Sequence, residues 1–124
     1  MVDIENTVTE HALLRGEGYL VHANHYLAPA LMPHELSQEH ENANSAARGN
    51  RMTDLVRSHA GQIDHMTLQT FCRDHQCDPD SLCAHRQPPV DTHTFASMIC
   101  RLSEGKMDLA RGPVCENEYY TYSL

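Results

Sequence analysis

Apolar positions along this chain follow two rhythms, a strict alternation toward both ends and a three-to-four spacing in the middle, and each rhythm predicts a different element. Val2 and Ile4 alternate with Asp3 and Glu5, the period of a half-buried strand whose successive side chains point to opposite faces. Ala12-Leu13-Leu14, ahead of Gly16-Glu17-Gly18, reads as a second short strand. Tyr19 to His22, an apolar run bounded by Gly18 and the turn-prone Ala23-Asn24, reads as a third. Pro29 and Pro33 then interrupt regular structure, and the polar, acidic stretch from His34 to Asn44 is expected to be an exposed loop.

The rhythm changes at Ser45, which is placed to cap a helix. Met52, Leu55, Val56 and His59 follow at i, i+3, i+4 and i+7, the stripe of one helical face, and the helix should end near Gly61. Asp64 can cap a second helix whose Leu68, Phe71, Cys72 and His75 repeat that spacing, and Asp78-Pro79-Asp80 blocks its continuation. After the connector Gln87-Pro88-Pro89, the β-favouring stretch from Thr94 to Leu102 predicts a strand and Ser103-Glu104-Gly105 a hairpin turn. Met107 and Leu109, alternating with Lys106 and Asp108, predict the return strand, and Tyr119, Tyr120 and Tyr122 a last one. This order of elements predicts an α+β fold, a mostly antiparallel sheet with a helix pair on one side.

Composition narrows the partners. The 124 residues suit a single domain able to bury roughly two-thirds of its unfolded surface. A mean hydropathy of -0.53 makes its core thin. Nine basic against seventeen acidic residues give a formal charge of -8, which repels phosphate backbones and anionic headgroups, so no nucleic-acid and no membrane partner is expected. No apolar run is long enough to span a bilayer and the first residues lack a secretory pattern, so the expected location is cytoplasmic. Five cysteines at irregular spacing then suit reduced thiols.

Three constellations are candidates for chemistry. His22-x-x-His25 invites a metal reading, but positions three apart in a strand face opposite ways, and two hydrogen-bonded structural imidazoles are the preferred reading. Between them, Asn24 offers amide donors that never titrate, as an oxyanion hole requires. Cys72, Cys77, Cys83 and His85 bring zinc to mind, yet C-x4-C-x5-C-x-H lacks a paired knuckle and Cys72 belongs to an apolar stripe, so no metal and no cofactor is expected. Arg48 and Arg51 share a helical face and could clamp a carboxylate, with a solvated face as the alternative. Glu35, Glu39 and Glu41 are read as solubilising charge alone.

Taken in order, Gly18 to Tyr26, Ser45-x-x-Arg48-x-x-Arg51-Met52, Asp74-His75, Ser81-Leu82-Cys83-Ala84-His85, Thr94 to Ile99 and Gly112-Pro113-Val114-Cys115 form a collinear series. From Val2 to Tyr122 that series resembles the carboxy-terminal half of the acyl-coenzyme A:6-aminopenicillanic acid (isopenicillin N) acyltransferase family of N-terminal-nucleophile hydrolases. The resemblance implies a share of a four-layer αββα fold in which two mostly antiparallel sheets lie between helical layers. In that family an amino-terminal cysteine attacks an amide or thioester carbonyl and its own α-amino group takes the proton. Ala23-Asn24-His25 matches the family's Thr-Asn-His, which implies that Asn24 is the oxyanion donor, with Ala23 departing from the usual threonine. By the same resemblance His25, Arg48 and Arg51 are candidate substrate-facing residues.

None of Cys72, Cys77, Cys83, Cys100 or Cys115 follows a glycine, as the family's self-cleaved cysteine commonly does. Residues 1–124 are therefore expected to form one partial domain without the nucleophile-bearing half, a fragment, a split subunit or a degenerate relative, and to be inactive alone. The expected partners are that missing half or further copies of the chain, and a small-molecule amide or acyl donor, with acyl-coenzyme A as a substrate of the complete enzyme. A non-catalytic binding module and a small zinc-stabilised domain are the alternative readings.

Overall fold

The computed structural model of the protein describes residues 1–88 and 92–124. Its architecture is α+β, with two antiparallel sheets and two helices. The strands are thus divided between two sheets instead of forming one. Strands β1 (Val2–Asn6) and β2 (His11–Arg15) form a hairpin in which Ile4 pairs with Leu13 and Glu5 with Ala12. Tyr19 to His22 is not a strand. The chain doubles back immediately after β2, so closely that a side chain on Gly16 would overlap the Tyr19 carbonyl, and the apolar run continues as irregular chain.

Helix α1 (Glu39–Ser58) begins six residues before Ser45, inside the stretch expected to be loop. Its first turn is stabilised by charge that hydropathy does not register. The Glu41 carboxylate accepts the Gln38 N–H at 3.0 Å, and Glu39 and Glu41 both sit where the helix dipole favours anions. Ser45 is consequently no cap but a buried residue within the helix. Helix α2 (His65–Cys72) does start as its sequence predicts, with the Asp64 carboxylate accepting the Thr67 N–H at 2.7 Å. His75 lies beyond its end. Phe71 of α2 is buried and meets the His59 ring edge-on, with centroids 5.0 Å apart, which ties the end of α1 to α2.

The second sheet contains β3 (Ala96–Arg101), β4 (Lys106–Arg111) and β5 (Tyr120–Ser123) in that order. A short 3-10 turn, Leu102–Glu104, and Gly105 at φ 61° make the tight connection that Ser103-Glu104-Gly105 predicted. Pro89 of the expected connector lies outside the described residues. Helix α2 packs against β3. Beneath the sheet a small core gathers Cys83, Ala110 and Val114, with Cys72, Cys115 and Tyr119 packed around it.

In both sheets a carboxylate is buried while apolar residues beside it are exposed. In β4 the buried residues are Asp108 and Ala110, while Met107 and Leu109 lie on the other face. Asp108 is held there by Arg101 at 3.0 Å and by the Thr121 hydroxyl at 2.6 Å. The opposite face carries Met98, Cys100, Met107, Leu109, Tyr120 and Tyr122, with Met98 62% and Tyr120 63% exposed. The hairpin behaves likewise: Glu5 is only 4% exposed, whereas its neighbour Ile4 is 61% exposed and Leu13 opposite it is exposed as well.

Candidate functional site

Residues 22–28 form a loop whose backbone is held by side chains from three directions. Glu5 of β1 accepts the Leu27 N–H at 2.6 Å and the Ala28 N–H at 2.8 Å, and its Oε1 lies 2.7 Å from His22 Nε2. Burial alone would push this carboxyl up, but the Leu27 N–H, the His22 ring and the Ala28 N–H outweigh it and hold the pKa below its ordinary value. Glu35 accepts the Tyr26 N–H at 3.2 Å and is itself held low by the Ser37 hydroxyl and N–H. From α1, Ser45 Oγ accepts the Asn24 N–H at 2.6 Å and lies 2.7 Å from His25 Nδ1.

These contacts fix Asn24 at the rim of an open cleft of about 410 Å³, lined among others by Glu5, His22, His25, Tyr26 and Glu35. Its amide is oriented by one partner. Arg48 Nη2 donates to Asn24 Oδ1 at 2.9 Å, and because guanidinium only donates, the oxygen and nitrogen of that amide are assigned unambiguously. Asn24 Nδ2 has no hydrogen-bond partner among the described residues. Arg48 is braced in turn by Asn44 Oδ1 at 3.0 Å, and Asn44 Nδ2 donates to Asp80 at 2.7 Å.

The structure therefore brings Asn24, His25 and Arg48 together and sends Arg51 elsewhere. Arg51 makes a two-pronged pair with Asp74, at 3.0 and 2.5 Å, which fastens α1 to the segment after α2. Arg48 and Arg51 do not converge on one ligand position. His22 and His25, turned to Glu5 and to Ser45, do not converge either. Sequence reading gave no role to Glu5 or Glu35, which hold the loop together. Glu5 shares the polar register of β1 with Asp3, so alternation alone did not mark it as buried.

A second cluster lies beside the small core. The ligating atoms of His75, Cys83, His85 and Cys115 all fall within 4.8 Å of one another. His75 Nε2 and His85 Nε2 are 3.1 Å apart, and Cys115 Sγ is 3.2 Å from the same His85 nitrogen. Burial and the adjacent Cys83 thiol push the Cys115 thiol up from its ordinary value. Of the four residues whose spacing suggested zinc, only Cys83 and His85 belong to this cluster. Cys72 packs on the core and Cys77 is exposed. His75 was assigned to the stripe of a helix that in fact ends at Cys72, and Cys115 stands thirty residues beyond His85.

Set beside known proteins, the chain matches no family model and no curated protein. Among the described residues no helix is long and apolar enough to cross a membrane.

Proposed function

We propose that this chain is the carboxy-terminal part of an amidohydrolase or acyltransferase of the N-terminal-nucleophile type, acting on carbon-nitrogen amide bonds with a nucleophile supplied by a complementary half. The observation that carries this reading is the Asn24 amide. Its oxygen is occupied by Arg48, and its nitrogen, without a protein partner among the described residues, stands at the solvent-exposed rim of a cleft, free to donate to an anion that forms there during reaction. Ser45 fixes the backbone of that residue, so little reorganisation is needed when charge develops. In this reading Asn24 donates to the tetrahedral oxyanion, Arg48 is a positioning residue, and His25, bonded to Ser45, shapes the pocket wall.

The exposed Met98, Tyr120 and Tyr122 on one face of the second sheet support the need for a complementary half, which would cover them. The acyl donor is a small-molecule amide or a thioester such as acyl-coenzyme A, by the resemblance in the sequence.

Co-expression with the amino-terminal half of a family acyltransferase tests the reading, with amide hydrolysis as readout. The chain alone should show no turnover and the complemented protein should show some. Asn24→Ala should then lower kcat by about a hundredfold or more, the usual effect of deleting one oxyanion donor, while His25→Ala acts chiefly on stability. Equal and small kinetic effects of the two changes would remove Asn24 from the role.

A further inference from the structure

His75, Cys83, His85 and Cys115 come from three separate stretches of chain, the turn after α2, the irregular segment before β3 and the loop after β4. Four soft or borderline ligands from such distant positions share one small volume. Around a tetrahedral zinc ion, with bonds of about 2.0–2.1 Å to nitrogen and about 2.3 Å to sulfur, neighbouring ligand atoms stand about 3.3–3.8 Å apart. The two imidazole nitrogens at 3.1 Å and the thiol at 3.2 Å from one of them need to part by a few tenths of an ångström to match, and the remaining ligand atoms, all within 4.8 Å of one another, close by up to about 1 Å.

Hydrogen bonding alone satisfies this geometry poorly. The exposed Glu116 carboxylate lies 3.5 Å from His85 Nδ1, and a neutral ring carrying its proton on that nitrogen presents a single in-plane lone pair at Nε2. That one lone pair faces both His75 Nε2 and Cys115 Sγ, and it can accept only one proton. A metal ion accepts from all of them at once. The pairing of the far imidazole nitrogen with a carboxylate is also the usual support of a metal-bound histidine.

We propose that His75, Cys83, His85 and Cys115 bind one zinc ion as a structural site. Two thiolates neutralise the dication, which suits a position where Cys83 is wholly buried. Four protein ligands leave no open coordination position, so the ion clamps and does not catalyse. What it clamps is the loop 73–88 to the chain after β4, across a core whose buried members are Cys83, Ala110 and Val114. Hard, all-oxygen cations such as calcium and magnesium are disfavoured by this ligand set.

Elemental analysis and X-ray absorption at the zinc edge, made on the full chain after chelation and reloading with zinc, test the site without any mutation. The expected result is one zinc per chain with a shell of two sulfurs and two nitrogens, and a melting temperature that falls when a strong chelator is added. Cys115→Ser should abolish the sulfur-rich shell, and a Cys77→Ser/Cys100→Ser double variant should retain it. Should Cys115→Ser fail to fold, the wild-type shell decides alone. The site is refuted by a chain that retains no zinc, by a shell of nitrogen and oxygen only, as ten histidines can supply adventitiously, or by a Cys83–Cys115 disulfide in the mass spectrum. Loss of the metal from the double variant refutes it too.

Discussion

Glu5 does more than any other single side chain to shape the loop at 22–28, because one buried carboxylate satisfies two backbone N–H groups and an imidazole. Glu5→Gln keeps the size but offers only one accepting oxygen and turns an NH2 toward a donor. The expected loss is about 1–3 kcal/mol, the range for leaving a buried polar group unsatisfied, read from urea denaturation. A loss within about 0.5 kcal/mol, as for an ordinary surface change, would show that the loop does not depend on it. The same carboxyl gives the pH dependence a sign. Its folded pKa lies below its unfolded one, so its contribution is complete above the unfolded value and is lost as pH falls through the folded value. Acid titration of wild type should therefore show a loss of stability at low pH that Glu5→Gln reduces. His22 and Asp3, the titratable groups beside Glu5, stay in place in that comparison.

Among the elements, α2 depends most on local chemistry, since eight residues make a marginal helix without tertiary help. Asp64→Ala removes the side-chain acceptor of the Thr67 N–H and should lower stability, measured as a fall in melting temperature. An unchanged melt would mean that packing of Phe71 alone holds the helix. This cap was legible in the sequence, as were both helices, the β3–β4 hairpin and the final strand, because each is set by local pattern and turn chemistry. The early start of α1 was not, since it rests on charge at the helix terminus and not on apolar spacing. Which face of each strand is covered was not legible either. Alternation places Met107 and Leu109 on one face and Asp108 on the other, but only tertiary contacts with Arg101 and Thr121 decide which face is covered. The turn that carries Asn24 was legible, whereas the restraint of that residue by Arg48 and Ser45 spans more than twenty residues of sequence. The metal-ligand cluster was hidden for the same reason, its fourth member standing far from the other three.

At the scale of the molecule, several side-chain links run between the two candidate sites. The segment that carries His75 and Cys83 also carries Asp74 and Asp80, which bind Arg51 and Asn44 of α1, and α1 presents Ser45 and Arg48 to Asn24. A zinc clamp on that segment would steady the face of α1 that orients the amide. The hairpin exposes Ile4 and Leu13, the second sheet exposes Met98, Tyr120 and Tyr122, and β3 and β5 are the two edges of that sheet. A formal charge of -8 should keep copies apart, so association in spite of it would report directly on these faces. Light scattering across a concentration series, paired with calorimetry, is the most direct test that the chain is one half of a larger sandwich. The half-domain reading predicts self-association or a broad melt for the chain alone, relieved by Met98→Lys with Tyr122→Lys or by the complementary half. A monodisperse monomer with a sharp cooperative melt, indifferent to those substitutions, would contradict it.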